Sequence, residues 1–302
     1  MINVIVNMKV FNTIIFVFLT SFVLGQKNFK ELEKETARYN DYFVNADNAI
    51  HRIYAHKKFK SLFEKALRTD SAFYYSFDSL KWISKLIAPD SSFRVFSWQL
   101  DISAGKKEYY GYIQMRNGLL YELKDNKEWF SDLEYEVFTP DDWYGQLYYN
   151  LYQYKNKDKN EYILFGYKQL TKYDKIKVAA PVYFEEDNIF FGKEIFQDTL
   201  RQEGLKNRIV LQTANEAASK LNYDENMGII IYDHTTVIPL KRSVKAGPAM
   251  VPDGSYHGYK LDGGKWIFID KVFNQIYDEN SIPGRKKKDK EKNLFGNDIK
   301  KK

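Results

Sequence analysis

The chain of 302 residues contains no cysteine. That absence excludes a disulfide framework, a thiolate zinc site, a cysteine nucleophile and an iron–sulfur cluster. Histidine is nearly as scarce, with four residues: His51, His56, His234 and His257. His51 and His56 stand five apart, off the three- or four-residue spacing that puts two ligands on one helical face, so a helical metal pair is not expected. The short signatures of several large enzyme classes are also missing. There is no G-x-S-x-G elbow, no H-E-x-x-H, no phosphate loop ending in Gly-Lys-Ser/Thr and no G-x-G-x-x-G. In Gly254-Ser255-Tyr256-His257-Gly258 the serine is second in the run rather than third, so it is not an esterase elbow. No motif calls for a metal or any other cofactor.

An excess of charge is lacking too, once the net +6 is located. Residues 284–302 hold nine Lys/Arg and three Asp/Glu, so the tail accounts for all of it and residues 1–283 sum to zero. A folded body without net positive charge is a poor partner for nucleic acid. The tail has few apolar residues and is expected to stay disordered, with at most weak, salt-sensitive attraction to an anionic surface.

What is present begins with an address. Lys9 precedes an apolar run from Ile14 to Leu24, broken only by Thr20 and Ser21, and Val23 and Gly25, with polar Gln26 next, occupy the positions a signal peptidase reads. A basic start, a short apolar core and a small-residue junction describe a secretory signal peptide over residues 1–25. The run falls short of the about 20 apolar residues a membrane span needs, so no transmembrane segment is expected in the mature chain. Met8 offers an alternative start to Met1.

With 44% apolar residues, the mature chain can bury a sizeable core. The pattern divides it into a helical N-terminal segment over 26–90, a β-rich domain over 91–283 and the Lys-rich tail over 284–302. Residues 27–68 carry Ile50, Ile53, Phe59, Leu62, Phe63 and Ala66 at helical spacing. A second short helix is predicted over Ser79–Ile87. From Phe93 the period becomes two, with Phe96, Trp98, Leu100 and Ile102 alternating with Ser97, Gln99 and Asp101. Asn117-Gly118 and Asp262-Gly263-Gly264 mark hairpins, and Glu185-Glu186-Asp187-Asn188 reads as an exposed turn. Further strands are predicted at Glu161–Leu170, Ile176–Phe184, Ile189–Ile195, Arg208–Thr213 and Gly228–Tyr232. Helices are predicted over Asp141–Tyr152, started by Thr139 and Pro140, and over Glu216–Leu221. The class is therefore α+β, a helical segment packed on a long antiparallel β-meander, with a sandwich or an incomplete propeller as the alternative.

Candidate chemistry is thin. Asp141-Asp142 reads as helix-start capping and Glu185-Glu186 as a turn, not as an acid/base pair. Ile229–Asp233 is a buried-looking strand that ends at His234, and His257 lies on a second strand near Asp253. Asp233, His234 and His257 are thus the candidates for a base–orienter set at a strand end. Asn222, Asp224, Asn226 and Asp233 approach a calcium-loop spacing, but Met227 stands where that loop needs glycine. The aromatic load suggests a ligand platform of tyrosines, with Tyr110, Tyr112, Tyr149 and Tyr154 as candidates.

Several short stretches carry a family resemblance: Phe93-Arg94-Val95-Phe96-Ser97-Trp98-Gln99, Tyr110-Gly111-Tyr112-Ile113-Gln114, Trp143-Tyr144-Gly145, Tyr232-Asp233-His234 and Asp253-Gly254-Ser255-Tyr256-His257-Gly258-Tyr259. Through them, most of residues 75–270 resembles uncharacterised secreted proteins of Bacteroidota. The resemblance implies export in a Gram-negative cell, to the periplasm, the outer membrane or the medium, and supplies no activity. The expected function is a non-enzymatic binding or structural module of the envelope whose partner is an envelope protein or a glycan. The alternative is a hydrolase acting on envelope or dietary polysaccharide.

Overall fold

The structure, a computed structural model, describes residues 29–69, 72–103, 105–126, 132–200, 204–239 and 248–273. The expected signal peptide over 1–25 and the tail over 284–302 lie outside the described residues. Helix α1 covers residues 29–45 and α2 covers Ala49–Leu67. The break between them is fixed by Asn48, whose side-chain oxygen accepts the Ile50 N–H at 2.8 Å, satisfying a donor that the first helical turn leaves open. No helix among the described residues is long and apolar enough to cross a membrane.

The rest is β-structure in three sheets, none of them closed. The first joins β1 (Ser84–Ile87), β2 (Phe93–Ser103), β3 (Lys106–Met115) and β4 (Leu120–Lys124) in sequence order. The second contains β5 (Leu147–Asn156), β6 (Lys159–Gln169), β7 (Asp174–Glu185), β8 (Asn188–Phe191) and β10 (Ile209–Ala214), in the order β10-β7-β6-β5 with β8 also on β7. The third has the order β11-β12-β13-β14-β9, from β9 (Phe196–Gln197), β11 (Leu221–Asp224), β12 (Ile229–Ile238), β13 (Ala249–Asp262) and β14 (Lys265–Ile269). All pairings are antiparallel except the short parallel β14–β9 contact. The class is α+β as the pattern indicated, but the strands divide among three sheets instead of forming one long meander.

Side-chain alternation stacks these sheets. On β2, Phe96, Trp98 and Leu100 point to one side and join Phe59, Phe63 and Phe43 from the helices. Phe93 and Val95, one residue out of phase, point to the other side and meet Tyr162, Leu164, Val178 and Val182 of the second sheet. Ile163, Phe165 and Ala179 leave the opposite face of that sheet and pack on Leu221, Ile230, Tyr259 and Trp266 of the third. The layer order is helices, first sheet, second sheet, third sheet. Strands covered on both faces must be apolar at consecutive positions, as Tyr162–Phe165 and Val178–Val182 are.

Double coverage also explains three helices that the pattern predicted and the chain does not form. Residues of Asp141–Tyr152 instead make a single 3-10 turn, Pro140–Asp142, and the start of β5. Tyr148, Leu151 and Tyr154 are buried three apart, which imitates a helix. Tyr148 and Leu151 face the first sheet while Tyr154 faces the third, with a bulge between Tyr148 and Asn150 shifting the phase. Ser79–Ile87 becomes turns and β1 because Leu80 and Ile83 serve the helical core and Leu86 the next one. Glu216–Leu221 is a turn leading into β11, where Leu221 pairs with Tyr232.

The Asn117-Gly118 hairpin forms, with Gly118 at φ +93°. Asp262-Gly263-Gly264 also turns as predicted, both glycines at positive φ between the paired Asp262 and Lys265.

His56 is a core residue of the helical layer. Its Nε2 accepts the Trp98 indole N–H at 3.0 Å, which requires the neutral ring. Burial first, then the Lys60 cation, lowers its pKa from 6.5 to about 4. The unfolded chain therefore takes up this proton first, and stability present above pH 6.5 is lost as pH falls towards 4. The expected loss is about 3 kcal/mol. Urea unfolding of His56→Gln should be flatter by that amount between pH 7 and pH 4; an unchanged slope contradicts the assignment.

Adjacent residues on β6 provide a second test. Ile163→Ala and Leu164→Ala should each cost about 2–5 kcal/mol, because each side chain fills a separate core. A sheet buried on one face would leave one of the two substitutions near neutral in chemical denaturation.

Candidate functional site

A cleft of about 530 Å³ opens between β10 of the second sheet and the inner face of the third. Asp233, His234 and His257 all line it. The sheet supplies Tyr232, His257, Tyr259 and Phe268 as neighbours on one face, since Tyr232 pairs with His257 and Tyr259 with Phe268 across β12–β13–β14. Tyr232 and Tyr259 stack with centroids 6.1 Å apart and planes 16° apart. The facing wall is the segment Asp132–Tyr135, together with Lys206.

That wall is held from behind by Arg208. Its guanidinium donates to the Leu133 carbonyl and, at 2.9 Å, to the Phe191 carbonyl. It lies between the Phe138 and Tyr144 rings, 4.7 and 4.9 Å from their centroids. Burial lowers its pKa. Lys206 adds an ion pair to Glu134 at 2.9 Å.

His234 is aimed by a bulge. The β12–β13 register shifts between Asp233 and Thr235, so His234 stands opposite Asp253, Gly254 and Ser255. Gly254 sits at φ +90°, a conformation costly for a residue with a side chain. Asp253 Oδ1 accepts the Ser255 N–H at 2.9 Å and its hydroxyl at 2.7 Å. Asp253 Oδ2 meets His234 Nδ1 at 2.6 Å. These donors, the Ser255 backbone N–H first, hold the Asp253 carboxyl well below the usual carboxylate range. An ionised carboxylate can only accept, so His234 Nδ1 carries the proton and Nε2 is the basic nitrogen.

His257 makes a second pair, Nε2 to Asp270 Oδ1 at 3.2 Å. The two imidazoles are in contact, centroids 4.6 Å apart. Tyr232 and Phe268 stand edge-on to His257 at 5.7 and 5.0 Å. The cleft thus holds two histidines side by side, each tied to its own aspartate. Burial raises the Tyr259 phenol to about 12, so it is protonated and able to donate.

Of the three predicted residues, the structure brings His234 and His257 into contact. Asp233 is engaged elsewhere: its carboxylate accepts the Lys220 N–H, and its own N–H donates to the Lys220 carbonyl at 3.1 Å. It locks the β11–β12 edge instead of orienting an imidazole. Asp253, placed near His257 by sequence, belongs to His234. Asp270 was missed, although the register of the Asp262-Gly263-Gly264 hairpin puts it one residue beyond the Gly258–Ile269 pair, beside His257.

No family model, curated protein or solved structure matches the chain.

The predicted tyrosine platform does not assemble. Tyr112 and Tyr154 are buried, their hydroxyls directed to Glu64 at 3.3 Å and Glu161 at 2.7 Å. Tyr110 is half-buried, stacked on Trp98 and donating to Glu108 at 2.6 Å. Tyr149 is 38% exposed, with its hydroxyl donated to the Leu221 carbonyl. Tyr110 and Tyr112 serve the core under the helices and Tyr154 the core of the third sheet. Tyrosine here fills cores with its ring while its hydroxyl reaches a partner at the edge.

The calcium-like spacing is a β-hairpin: Asn222 accepts from Asn150 at 2.6 Å and Asp224 caps the turn at Asn226 and Met227. Among the described residues, no three His, Asp or Glu side chains are arranged to hold a metal.

Chemically, the cleft offers acceptors from Asp132, Asp198 and Glu134, donors from Lys206 and tyrosine hydroxyls, and aromatic surface. Ser255 gives its hydroxyl to Asp253 and not to an imidazole, so it is not placed as an activated nucleophile. The Asp253–His234 bond has a direct spectroscopic consequence. A ring 15N pattern of the Nδ1–H tautomer is expected for His234 in the intact protein and should disappear in Asp253→Ala with the His257 signals retained. Its persistence in that variant would refute the assigned bond.

Proposed function

We propose that this chain is an exported envelope module that binds a polyhydroxylated, glycan-type ligand in the cleft between the second and third sheets, without transforming it. The observation that carries this reading is the cleft lining. Carboxylates and imidazoles line the cleft together with the half-buried rings of Tyr232 and Phe268, and sugars present hydroxyls at their rims and C–H faces for aromatic rings. The carboxylates can accept from several hydroxyls at once, and Lys206 and the phenols can donate back. Export is supported by the basic start and apolar run before residue 26, and the resemblance to secreted Bacteroidota proteins points the same way.

A glycan array on the whole protein, followed by titration calorimetry with the best binder, tests the reading. His234→Ala should weaken binding about tenfold or more with the melting temperature little changed, since its ring is partly exposed, and Tyr232→Phe should weaken it by loss of one hydroxyl while keeping the ring packed. An array with no binder, or variants with unaltered affinity, overturns it.

One observation favours a second reading, a hydrolase of envelope or dietary polysaccharide. The Asp253–His234 pair has the geometry of an orienter and a general base. Under that reading the bound glycan is cleaved by the intact protein and left whole by His234→Gln.

A further inference from the structure

The net neutrality of residues 1–283 conceals an uneven distribution. From Ala49 to Arg68 the chain has six Lys/Arg and a single acid, Glu64. The exposed side of α1 is balanced by contrast: Lys30, Lys34 and Arg38 alternate with Glu31, Glu35 and Asp41. The two helices share one layer, so composition alone does not require the difference.

Three of the six cations of α2 are engaged within the fold and three are not. Lys60 is paired with Glu122 at 2.5 Å and Arg68 with Glu64 at 2.9 Å. Arg52 is spent on the carbonyls of Ala46, Asp47 and Asp101. Lys57, Lys58 and Lys65 are exposed and form no ion pair among the described residues. They lie along a single stripe of the helix with Ile50 and Tyr54 at its N-terminal end, 72% and 55% exposed. Lys58 rests its ammonium 5.9 Å over the Tyr54 ring. From Ile50 to Arg68 the stripe is straight and about 27 Å long at 1.5 Å per residue. The inward side of the same helix, with Ala55, Phe59, Phe63 and Ala66, is fixed on the first sheet, so the outer side cannot rotate inward.

We propose that this face of α2 docks the protein on an anionic phospholipid surface, independently of the cleft. The unpaired cations run from Lys57 to Lys65 on one helical face, about 12 Å along the axis, and an exposed row of that kind matches a plane of headgroups better than it matches a compact anion. An exposed isoleucine and tyrosine at one end can enter the interface between headgroups and chains. The layer order then gives the contact a consequence. The helices are outermost at one end and the cleft lies between the second and third sheets, so docking through α2 leaves the cleft away from the lipid.

The test is co-sedimentation of the whole protein with vesicles of phosphatidylglycerol in phosphatidylcholine, against phosphatidylcholine alone, across a salt series. Binding is expected only with the anionic lipid and should weaken steeply with salt. The variant Lys57→Gln/Lys58→Gln/Lys65→Gln should lose about 100-fold in partitioning, with an unchanged melt because all three side chains are exposed. A parallel variant with every Lys and Arg of residues 285–302 changed to Gln separates the tail from the helix, and it should retain anionic-vesicle binding. Overturning results are an α2 variant that partitions like the parent, a tail variant that abolishes binding, or binding to heparin or duplex DNA with none to the vesicles. The cleft reading is judged separately, since the α2 variant should bind glycan as the parent does.

Discussion

The constraint on which the structure depends is that the central strands of its second sheet are covered on both faces. Val178, Ala179 and Ala180 on β7 are all buried, although consecutive residues point to opposite sides. A strand in that position gains nothing from alternation between polar and apolar residues. Each neighbouring layer then exists because the face it covers would otherwise expose a row of large side chains. The first sheet repeats the condition at Phe93–Phe96, where one side faces the helices and the other faces the second sheet. With 17% aromatic residues, the chain fills these interlayer spaces with rings, whose edges and faces meet in tilted and T-shaped pairs such as Phe63–Phe96 and Phe93–Tyr162.

That same constraint governs what the sequence discloses. β3 and β4 are legible because Asn117-Gly118 fixes the turn between them and aromatic and aliphatic residues flank it. The last hairpin is legible for the same reason, two glycines free to take positive φ at a two-residue loop. β5 is illegible because its inward residues serve two cores and a bulge shifts the phase, so burial recurs every third residue as it would on a helix. The division of the strands into three sheets is a long-range property, decided by which faces meet, and no local signal encodes it. Nor did composition separate exposed tyrosines from buried ones: Tyr112 and Tyr149 look alike in sequence, and one is enclosed by the helical layer while the other borders a groove.

The candidate site was legible in its histidines and not in their partners. The sequence pattern puts a strand end at Asp233-His234, whereas β12 runs on to Ile238 and the two residues stand at a bulge within it, where the alternation of a strand sends neighbours to opposite faces. Asp233 therefore turns to the backbone of Lys220 while His234 turns to Asp253. The bulge that allows the second contact inserts Asp253-Gly254-Ser255 opposite a single residue, and only a register comparison reveals it. Bulges are a common device for redirecting one side chain without disturbing the rest of a sheet. The ladder resumes at Thr235–Pro252 and continues to Ile238–Ala249.

The parallel contact between β14 and β9 has a kinetic meaning. Trp266 and Ile267 pair with Phe196 and Gln197, so the far edge of the third sheet is formed by a segment that leaves the second sheet some 70 residues earlier. The helices and the first two sheets can assemble through contacts between nearer neighbours in the chain. The third sheet stays open at that edge until β14 docks on β9. Completion of the cleft-bearing layer is then the high-contact-order step of folding.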